Sequence, residues 1–379
     1  MASGLRAKLK AMGAASDEPK REVRRGGLIT YAERRDIEPG LLSLSGTGLR
    51  RIGWEGRAFD VRKCLFLDTE TTGLSGGAGT VAFLVGVGFI EDDAFVIEQY
   101  LMRDYSDEPE LIDRLANRAE RFESVCTFNG RTFDMPLLEA RFTMCRMRHR
   151  WHEMKNLDLL YPSRRTWKLR LGSCRLSHLE EVVLGMPREN DLPGKEVPQR
   201  YFDFLKTGDI SLLEDIVRHN RQDIATLAVL LVKLCEIYGE PEQLTDRKDL
   251  FSVGKALERQ GELRPARELY RVSAIPAPAG TLSALTGERI AGMANWRIYQ
   301  IERRSRNEEG MRAVLEQMLA RGQMPCQVHT ELSKLYEHRL GNCRVALMHA
   351  QEARKICTSD EVEALDRRIA RLEKKLERQ

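Results

Sequence analysis

The sequence lacks the features that mark membrane, secreted and disulfide-rich proteins. No apolar run approaches the ~20 residues of a membrane helix, and the N-terminal segment MASGLRAKLKAMGAAS has no apolar stretch like that of a secretory signal. We therefore expect a cytoplasmic protein with no membrane partner. None of the eight cysteines forms a C-x-x-C pair, and Cys64, Cys126 and Cys235 lie in apolar segments. Buried reduced thiols are therefore expected rather than disulfides or a zinc site.

A strong net charge is also missing. The chain has 379 residues and a formal charge of +4, with 42% hydrophobic and 31% charged residues. The total charge alone therefore does not indicate nucleic-acid binding. The length suits about two domains of ordinary size, each with its own core.

Two acids at the end of an apolar strand are the most informative feature that is present. In the string CLFLDTETTGL, Asp68 and Glu70 are one residue apart and precede a turn at Gly73. Alternate residues of a strand face the same way, so both carboxylates emerge on one side. Paired carboxylates on a strand too apolar for the surface are typical of a divalent-metal site.

Further acids lie in two other segments. FNGRTFDMPLL predicts a strand end, a turn at Asn129 and a helix that begins near Asp134. HNRQDIATLAVLLVKL predicts part of an amphipathic helix in which His219 and Asp223, four residues apart, share one face. Together with the two strand acids these make four carboxylates, which would repel one another unless cations held them together.

A basic segment lies between these acidic segments. From Arg141 to Arg175 it carries only two acids, Glu153 and Asp158, and Trp151, Tyr161 and Trp167 are interleaved with its cations. Its cations are Arg141, Arg146, Arg148, Arg150, Lys155, Arg164, Arg165, Lys168, Arg170 and Arg175. Cations with interleaved rings are typical of single-stranded nucleic-acid binding. A solvated helix face above core aromatics would give the same pattern, and both interpretations stay open.

The coarse pattern of elements predicts a mixed sheet flanked by helices. Predicted strands cover 63–68, 80–90, 95–102, 124–128 and 156–160, and predicted helices cover 107–122 and 134–145. The first three strands are spaced like an antiparallel meander, and Asp107 with Glu110 resembles a capping box. Residues 1–45 are expected to form a basic, largely flexible arm, with some order near Leu41, and residues 46–238 to form one self-contained domain.

The pattern becomes entirely helical beyond Pro241. Residues 245–358 resemble a degenerate tetratricopeptide-like array, because Ala313 and Ala346 are 33 residues apart and small residues recur against rings. Such an array would offer a surface to a protein partner, and a plain helical bundle remains the alternative. Residues 359–379 predict a charged terminal helix.

Three motifs in order resemble a known family. The DTETTG string, the NGRTFD segment and the helix that carries Asp223 are similar to the DEDD superfamily of 3′–5′ exonucleases, which has a ribonuclease H-like fold. The similarity is greatest to its YprB-like branch and covers roughly residues 50–238. The matching segments are Leu67 to Thr80, Asn156 to Pro162, Leu169 to Glu180, and Tyr201 to Asp223.

The resemblance implies a set of functional residues. Two ions of Mg²⁺ or Mn²⁺ would be held by Asp68, Glu70, Asp134 and Asp223, and the substrate would be DNA or RNA, as a single strand or a 3′ end. Substrate contacts would come from Thr71, Gly73, Leu74, Asn129, Arg164, Arg165, Lys168 and Arg170. Asp158 would be either an acid behind the metal ligands or an ordinary surface residue.

His219 departs from the family pattern. The superfamily has a tyrosine four residues before its last aspartate or a histidine five before it, whereas this chain has a histidine four before Asp223. His219 is one helical turn from that aspartate, so it remains a candidate general base.

Two other classes of function compete with a nuclease. A haloacid dehalogenase-type phosphatase also begins with an apolar strand and two acids, but Glu70 stands where that mechanism needs aspartate. A catalytically inactive scaffold with a helical partner site is the stronger alternative, although a purely structural domain has no reason to collect four acids.

Overall fold

A six-stranded mixed sheet forms the centre of the protein. The structure is a computed structural model that describes residues 27–55, 58–73, 79–186, 188, 192–275 and 283–378. The strand order is β1-β4-β3-β2-β5-β6. The strands are β1 (Ile29–Arg35), β2 (Cys64–Thr71), β3 (Ala82–Glu91), β4 (Ala94–Leu101), β5 (Ser124–Thr127) and β6 (Lys155–Asp158).

The direction of the strands changes at β2. Strands β1 to β4 pair antiparallel, whereas β5 runs parallel to β2 and β6 runs parallel to β5. The predicted meander and mixed sheet are confirmed. Parallel neighbours need crossover connections. A helix accordingly precedes β5 in the chain, and another lies between β5 and β6.

Fourteen α-helices lie within the part of the chain that the structure describes. The first seven are α1 (Gly46–Ile52), α2 (Glu108–Ala119), α3 (Asp134–Met144), α4 (Leu160–Leu171), α5 (Leu176–Leu179), α6 (Val197–Thr207) and α7 (Ser211–Gly239). The others are α8 (Arg247–Arg259), α9 (Leu263–Ser273), α10 (Ser283–Arg304), α11 (Glu308–Ala320), α12 (Pro325–His338), α13 (Cys343–Ile356) and α14 (Ser359–Leu376). None of these helices combines the length and the apolar character needed to span a membrane.

Each face of the sheet supports its own hydrophobic core. Along β2, Cys64 and Phe66 pack into one core, and Leu65 and Leu67 pack into the other. The first core contains residues of α7, and the second contains residues of α2, α3 and α6. This alternation follows from the two-residue period of a strand that is buried on both faces.

The helical region after α7 shares the first core. Leu250, Phe251 and Tyr270 belong to the same cluster of buried residues as Trp167 and Tyr238. Helices α8 to α14 pack against their neighbours in the chain, so the all-helical prediction is confirmed. The tetratricopeptide-like repeat remains an interpretation of the sequence.

Polar contacts also cross the predicted domain boundary at residue 238. Arg170 Nε donates to Asp249 Oδ2 at 2.8 Å, and Arg51 Nη2 donates to Glu262 Oε2 at 2.6 Å. The part of the chain from β1 to α7, here called the sheet domain, is therefore attached to helices α8 and α9 by both apolar and charged contacts.

The N-terminal and helix-start predictions need correction. Strand β1 (Ile29–Arg35) lies within the segment expected to be a flexible arm, whereas residues 1–26 lie outside the described residues. The capping box forms between Asp104 and Asp107, ahead of a short 3-10 turn, rather than between Asp107 and Glu110.

Two tryptophans and two cysteines also bear on the sequence predictions. Trp151 and Trp167 are 2% and 1% exposed, which agrees with the alternative of core aromatics and not with stacking platforms for bases. The expectation of reduced thiols is wrong for one pair of cysteines. Cys326 and Cys357 form a disulfide, with 5.3 Å between their Cα atoms, within the usual range for such a bond. Cys64, Cys126 and Cys235 are buried free thiols, as expected.

Candidate active site

Three carboxylates meet at the end of β2. Asp68 and Glu70 extend from the same face of this strand, and Asp223 approaches from α7, which covers that face. One carboxylate oxygen of each residue lies within 4.8 Å of the others. Such a group of hard oxygen donors could hold a divalent metal ion.

The electrostatics of this cluster also favour a cation. Burial and the neighbouring acids, chiefly Asp223, raise the pKa of Asp68 well above its ordinary value. The same causes raise the pKa of Glu70 to about 8. When these carboxylates are all ionised, their negative charges repel one another. A bound divalent cation would offset that repulsion.

Asp134 lies beside the three acids but is held by another contact. It is the first residue of α3, it is 5% exposed, and its carboxylate accepts a hydrogen bond from Thr69 Oγ1. Burial raises the pKa of Asp134 to about 6 although the Thr69 hydrogen bond lowers it. Asp134 is not part of the close group formed by the other three carboxylates among the described residues, although its charge acts on both Asp68 and Glu70.

Asn220 orients Asp68, a role that the sequence did not suggest. Its Nδ2 donates to Asp68 Oδ2 at 2.9 Å, and its Oδ1 accepts from Gln99 Nε2 at 2.8 Å. Gly86 lies opposite both Asp68 and Gln99 in the sheet register. A Cβ atom at Gly86 would come within 2.1 Å of Asn220 Oδ1, so only glycine leaves room for this bridge.

Arg188 balances part of the negative charge. Its guanidinium donates to both Glu180 and Asp223. Glu180 is fully buried and also accepts a hydrogen bond from Thr226. Arg188 is therefore anchored on a buried acid while it pairs with a candidate metal ligand.

His219 is buried next to this cluster. Its ring is 9% exposed, and its Nε2 accepts a hydrogen bond from the backbone amide of Leu192 at 3.3 Å. Among the described residues, the close group of candidate ligands comprises the three carboxylates and not His219.

Asp158 holds the turn that leads into α3. Its carboxylate accepts from the backbone amides of Asn129 at 2.8 Å, Arg131 at 3.1 Å and Leu160 at 3.0 Å. Asp158 is 7% exposed, so the surface alternative for this residue is wrong. Asn129 adopts a positive φ of 69°, a conformation that asparagine tolerates better than most residues.

The residues that follow Glu70 form the start of a turn. Thr71 is buried, and its Oγ1 donates to the carbonyl of Gly73 at 2.7 Å. Leu74, the next predicted substrate contact, lies outside the described residues.

The predicted phosphate-binding cations lie on α4 and have different surroundings. Arg164 is exposed, Arg165 Nη2 donates to the carbonyl of Ile52 at 2.6 Å, and Lys168 donates to the carbonyl of Gly172. Arg170 instead pairs with Asp249, so its charge is neutralised within the protein.

Comparisons with known proteins agree with this architecture. Residues 65–235 match the family model of the RNase_H superfamily, and this part of the chain carries the mixed sheet apart from its edge strand β1 and the first residue of β2. The chain is also 28% identical over 360 residues to an uncharacterised protein named YprB from Bacillus subtilis (strain 168). That alignment covers 93% of this chain and 83% of the relative.

Proposed function

We propose that this protein is a divalent-metal-dependent nuclease that hydrolyses phosphodiester bonds of DNA or RNA. The observation that carries the proposal is the convergence of Asp68, Glu70 and Asp223, whose ligand oxygens lie within 4.8 Å of one another. The match of residues 65–235 to the RNase_H superfamily supports a nucleic-acid substrate.

The donor set fits Mg²⁺ or Mn²⁺, both of which prefer carboxylate oxygens. Asp68, Glu70 and Asp223 would hold the ions, with Asp134 as a further ligand or as an acid that supports the others. Bound ions would stabilise charge on the phosphoryl oxygens and lower the pKa of the attacking water. We propose two ions and 3′–5′ polarity on the strength of the motif resemblance.

The role proposed for His219 is to accept a proton from the attacking water. The Nε2 lone pair already accepts the Leu192 amide, so proton transfer through this atom requires that hydrogen bond to break. His219→Ala should lower turnover by about 100-fold if the ring is the base. A wild-type rate in this variant would leave His219 the structural role of holding Leu192.

The stronger alternative is an inactive scaffold. The phosphatase alternative gives no role to residues 128–138, whereas the nuclease proposal uses Asp134, whose charge helps to raise the pKa of Glu70. A scaffold would use the same fold without cleavage, and only an activity measurement separates it from a nuclease.

Cleavage of end-labelled oligonucleotides tests the proposal. The protein is incubated with DNA or RNA labelled at either end, with Mg²⁺ or Mn²⁺, and the products are separated on a gel. Stepwise shortening from the 3′ end is expected, internal cuts would indicate an endonuclease, and no cleavage of any substrate would favour the scaffold.

Isosteric variants then test the site. Asp68→Asn and Asp223→Asn should lose more activity than the roughly 10- to 100-fold caused by removing a partner behind a metal ligand. Glu139→Gln is the matched control, because Glu139 is exposed on the helix that begins with Asp134. Near-normal activity in either aspartate variant would contradict the proposed site.

A further inference from the structure

Five cations line one cavity between α4 and α8. The cavity has a volume of about 430 Å³, and no carboxylate contributes to its lining. None of the five forms an ion pair with an acid in the described part of the chain. They are Arg164, Arg165, Lys168, Lys255 and Arg259.

Helical periodicity places these cations on the walls of the cavity. Arg164 and Lys168 are four residues apart on α4, and Lys255 and Arg259 are four apart on α8, so each pair shares one helix face. Burial and the cations Arg297 and Arg259 lower the pKa of Lys255. Glu258 acts on the pKa of Lys255 in the opposite direction, but no acid lies in the lining itself, so positive charge predominates there.

Other cations near the cavity are paired with acids, unlike the five that line it. The interface between the sheet domain and α8 and α9 also contains the Arg170–Asp249 ion pair at 2.8 Å and the Arg51–Glu262 ion pair at 2.6 Å. The same interface thus supplies acids to some of its cations. Like charges left together without acids are unfavourable for folding alone, and they are the arrangement that an anionic ligand would stabilise.

The position of α4 connects this cavity to the candidate active site. Helix α4 begins at Leu160, two residues after Asp158, whose carboxylate holds the turn leading to Asp134. Arg164 and Lys168 lie four and eight residues further on, about 6–12 Å from the start of α4 along its axis. Thr166, which lies between them, contacts Tyr238, and Tyr238 is 15 residues after Asp223 on α7, or about 22 Å along that helix. A strand of several nucleotides that leaves the acidic cluster along α4 would reach these cations and then α8.

We propose that this cavity binds the phosphodiester backbone of the substrate strand beyond the cleaved nucleotide, with Lys255 and Arg259 of the helical region completing the site. This inference rests on the proposed nuclease function. The exposed side chain of Leu169, and Met293, add apolar wall against which a sugar or base can pack. The helical region is then part of the substrate path and not only a surface for a protein partner.

Binding measurements on the full chain test the inference. Fluorescence anisotropy would follow labelled single-stranded DNA and RNA in EDTA, where no cleavage occurs, over a range of salt concentrations. The variant Lys255→Ala/Arg259→Ala should bind long oligonucleotides roughly tenfold more weakly near physiological salt. Its salt slope should fall by about 1.4, since each lost contact to a single strand contributes about 0.7.

The matched control is Arg339→Ala/Arg344→Ala, which removes the same charge from exposed positions of the helical region and should leave binding unchanged. With Mg²⁺, the cavity variant should show a raised KM on long oligonucleotides, whereas the control variant should keep the wild-type KM.

The outcomes separate the two proposals. If the cavity variant keeps the wild-type affinity and salt slope, the inference is wrong even if the protein is a nuclease. If the wild type cuts nothing while the variant still loses binding, the nuclease proposal fails and the cavity assignment stands. If the variant loses binding of an acidic polypeptide such as polyglutamate but not of oligonucleotides, the cavity is a protein site and the inference is overturned.

Discussion

Residue 86 must be glycine because Asn220 lies directly against it. The Asn220 amide joins Asp68 of β2 to Gln99 of β4 by passing over β3, and only the absence of a side chain at Gly86 permits this approach. The position of Asp68 therefore depends on Gly86, a residue that has no side chain.

Gly86→Ala should displace Asn220 and release Asp68. We expect a loss of about 1–3 kcal/mol in the free energy of unfolding, the usual cost of overpacking, measured by thermal or urea denaturation. Gly194→Ala is the control, because a Cβ there meets nothing within 4 Å. Equal stability of the two glycine variants would contradict the close approach.

Asn220→Ala removes the bridge without a clash and should weaken Mn²⁺ binding by about 10- to 100-fold.

Arg188 should stabilise the fold by pairing with Glu180. Glu180 is fully buried, and removing the partner of a buried charge typically costs about 3–5 kcal/mol. Arg188→Gln should therefore lower the free energy of unfolding by an amount of this order in denaturant titrations.

A second substitution identifies the cause. The double variant Arg188→Gln/Glu180→Gln should recover part of the lost stability, because residue 180 then no longer carries a buried charge without a partner, while Asp223 still lacks its Arg188 contact. Glu181→Gln changes an exposed neighbour and should have little effect. Additive losses in the double variant would mean that Arg188 and Glu180 do not act as a pair.

At the scale of elements, strong local patterns predicted the fold well. Strands β2, β3 and β4 each contain an apolar run and are largely buried, and their bounds were predicted to within a few residues. Strand β1 was missed because ITYAERR is a half-buried edge strand with many polar residues, which local patterns do not distinguish from a polar arm.

The acids of the site were predictable, and the residues that support them were not. Asp68 and Glu70 stand out because two acids follow an apolar strand. Asn220 has no such signal, since its contact with Asp68 spans 152 residues of sequence. The Cys326–Cys357 disulfide was not predicted for the same reason, since its two residues are 31 apart in the sequence. They meet because α12 and α13 pack together.

The terminal helix α14 should be attached to α12 in a pH-dependent way. Glu337 of α12 accepts hydrogen bonds from Arg368, Arg371 and Lys375 of α14. Burial alone would raise the pKa of Glu337, but these cations and His338 lower it from 4.5 to about 2. A carboxylate with a depressed pKa contributes stability above its unfolded value and loses it as the pH falls.

We therefore expect the attachment of α14 to weaken as the pH falls from about 4.5 to 2. Glu337→Gln should remove that dependence and destabilise the protein by roughly 1–3 kcal/mol near neutral pH, because Arg371 and Lys375 are half exposed. Circular dichroism melts across this pH range would measure both effects. Glu363→Gln, at a highly exposed ion pair on α14, should leave the pH dependence intact.

At the scale of the whole molecule, the sheet domain and the first helices of the helical region form one structural unit. The sequence indicated a self-contained domain ending near residue 238, because the change to a purely helical pattern occurs there. Packing crosses that boundary, since Phe251 and Tyr270 are buried in the same core as Trp167. Tertiary contacts of this kind leave no local signal at the boundary.

Truncation should reveal how far this unit extends. The shared core continues as far as Ile301, whereas the later helices form separate small clusters. A chain ending at residue 306 should therefore keep a cooperative melt, while a chain ending at Gly239 should lose it. The shorter chain lacks the residues that pack in the same core as Trp167 and Tyr238 and so exposes these two side chains. Each large side chain uncovered costs about 1.5–3 kcal/mol. Calorimetry of the full chain and both truncations would measure this, and a cooperative melt of the chain ending at Gly239 would show that the sheet domain folds alone.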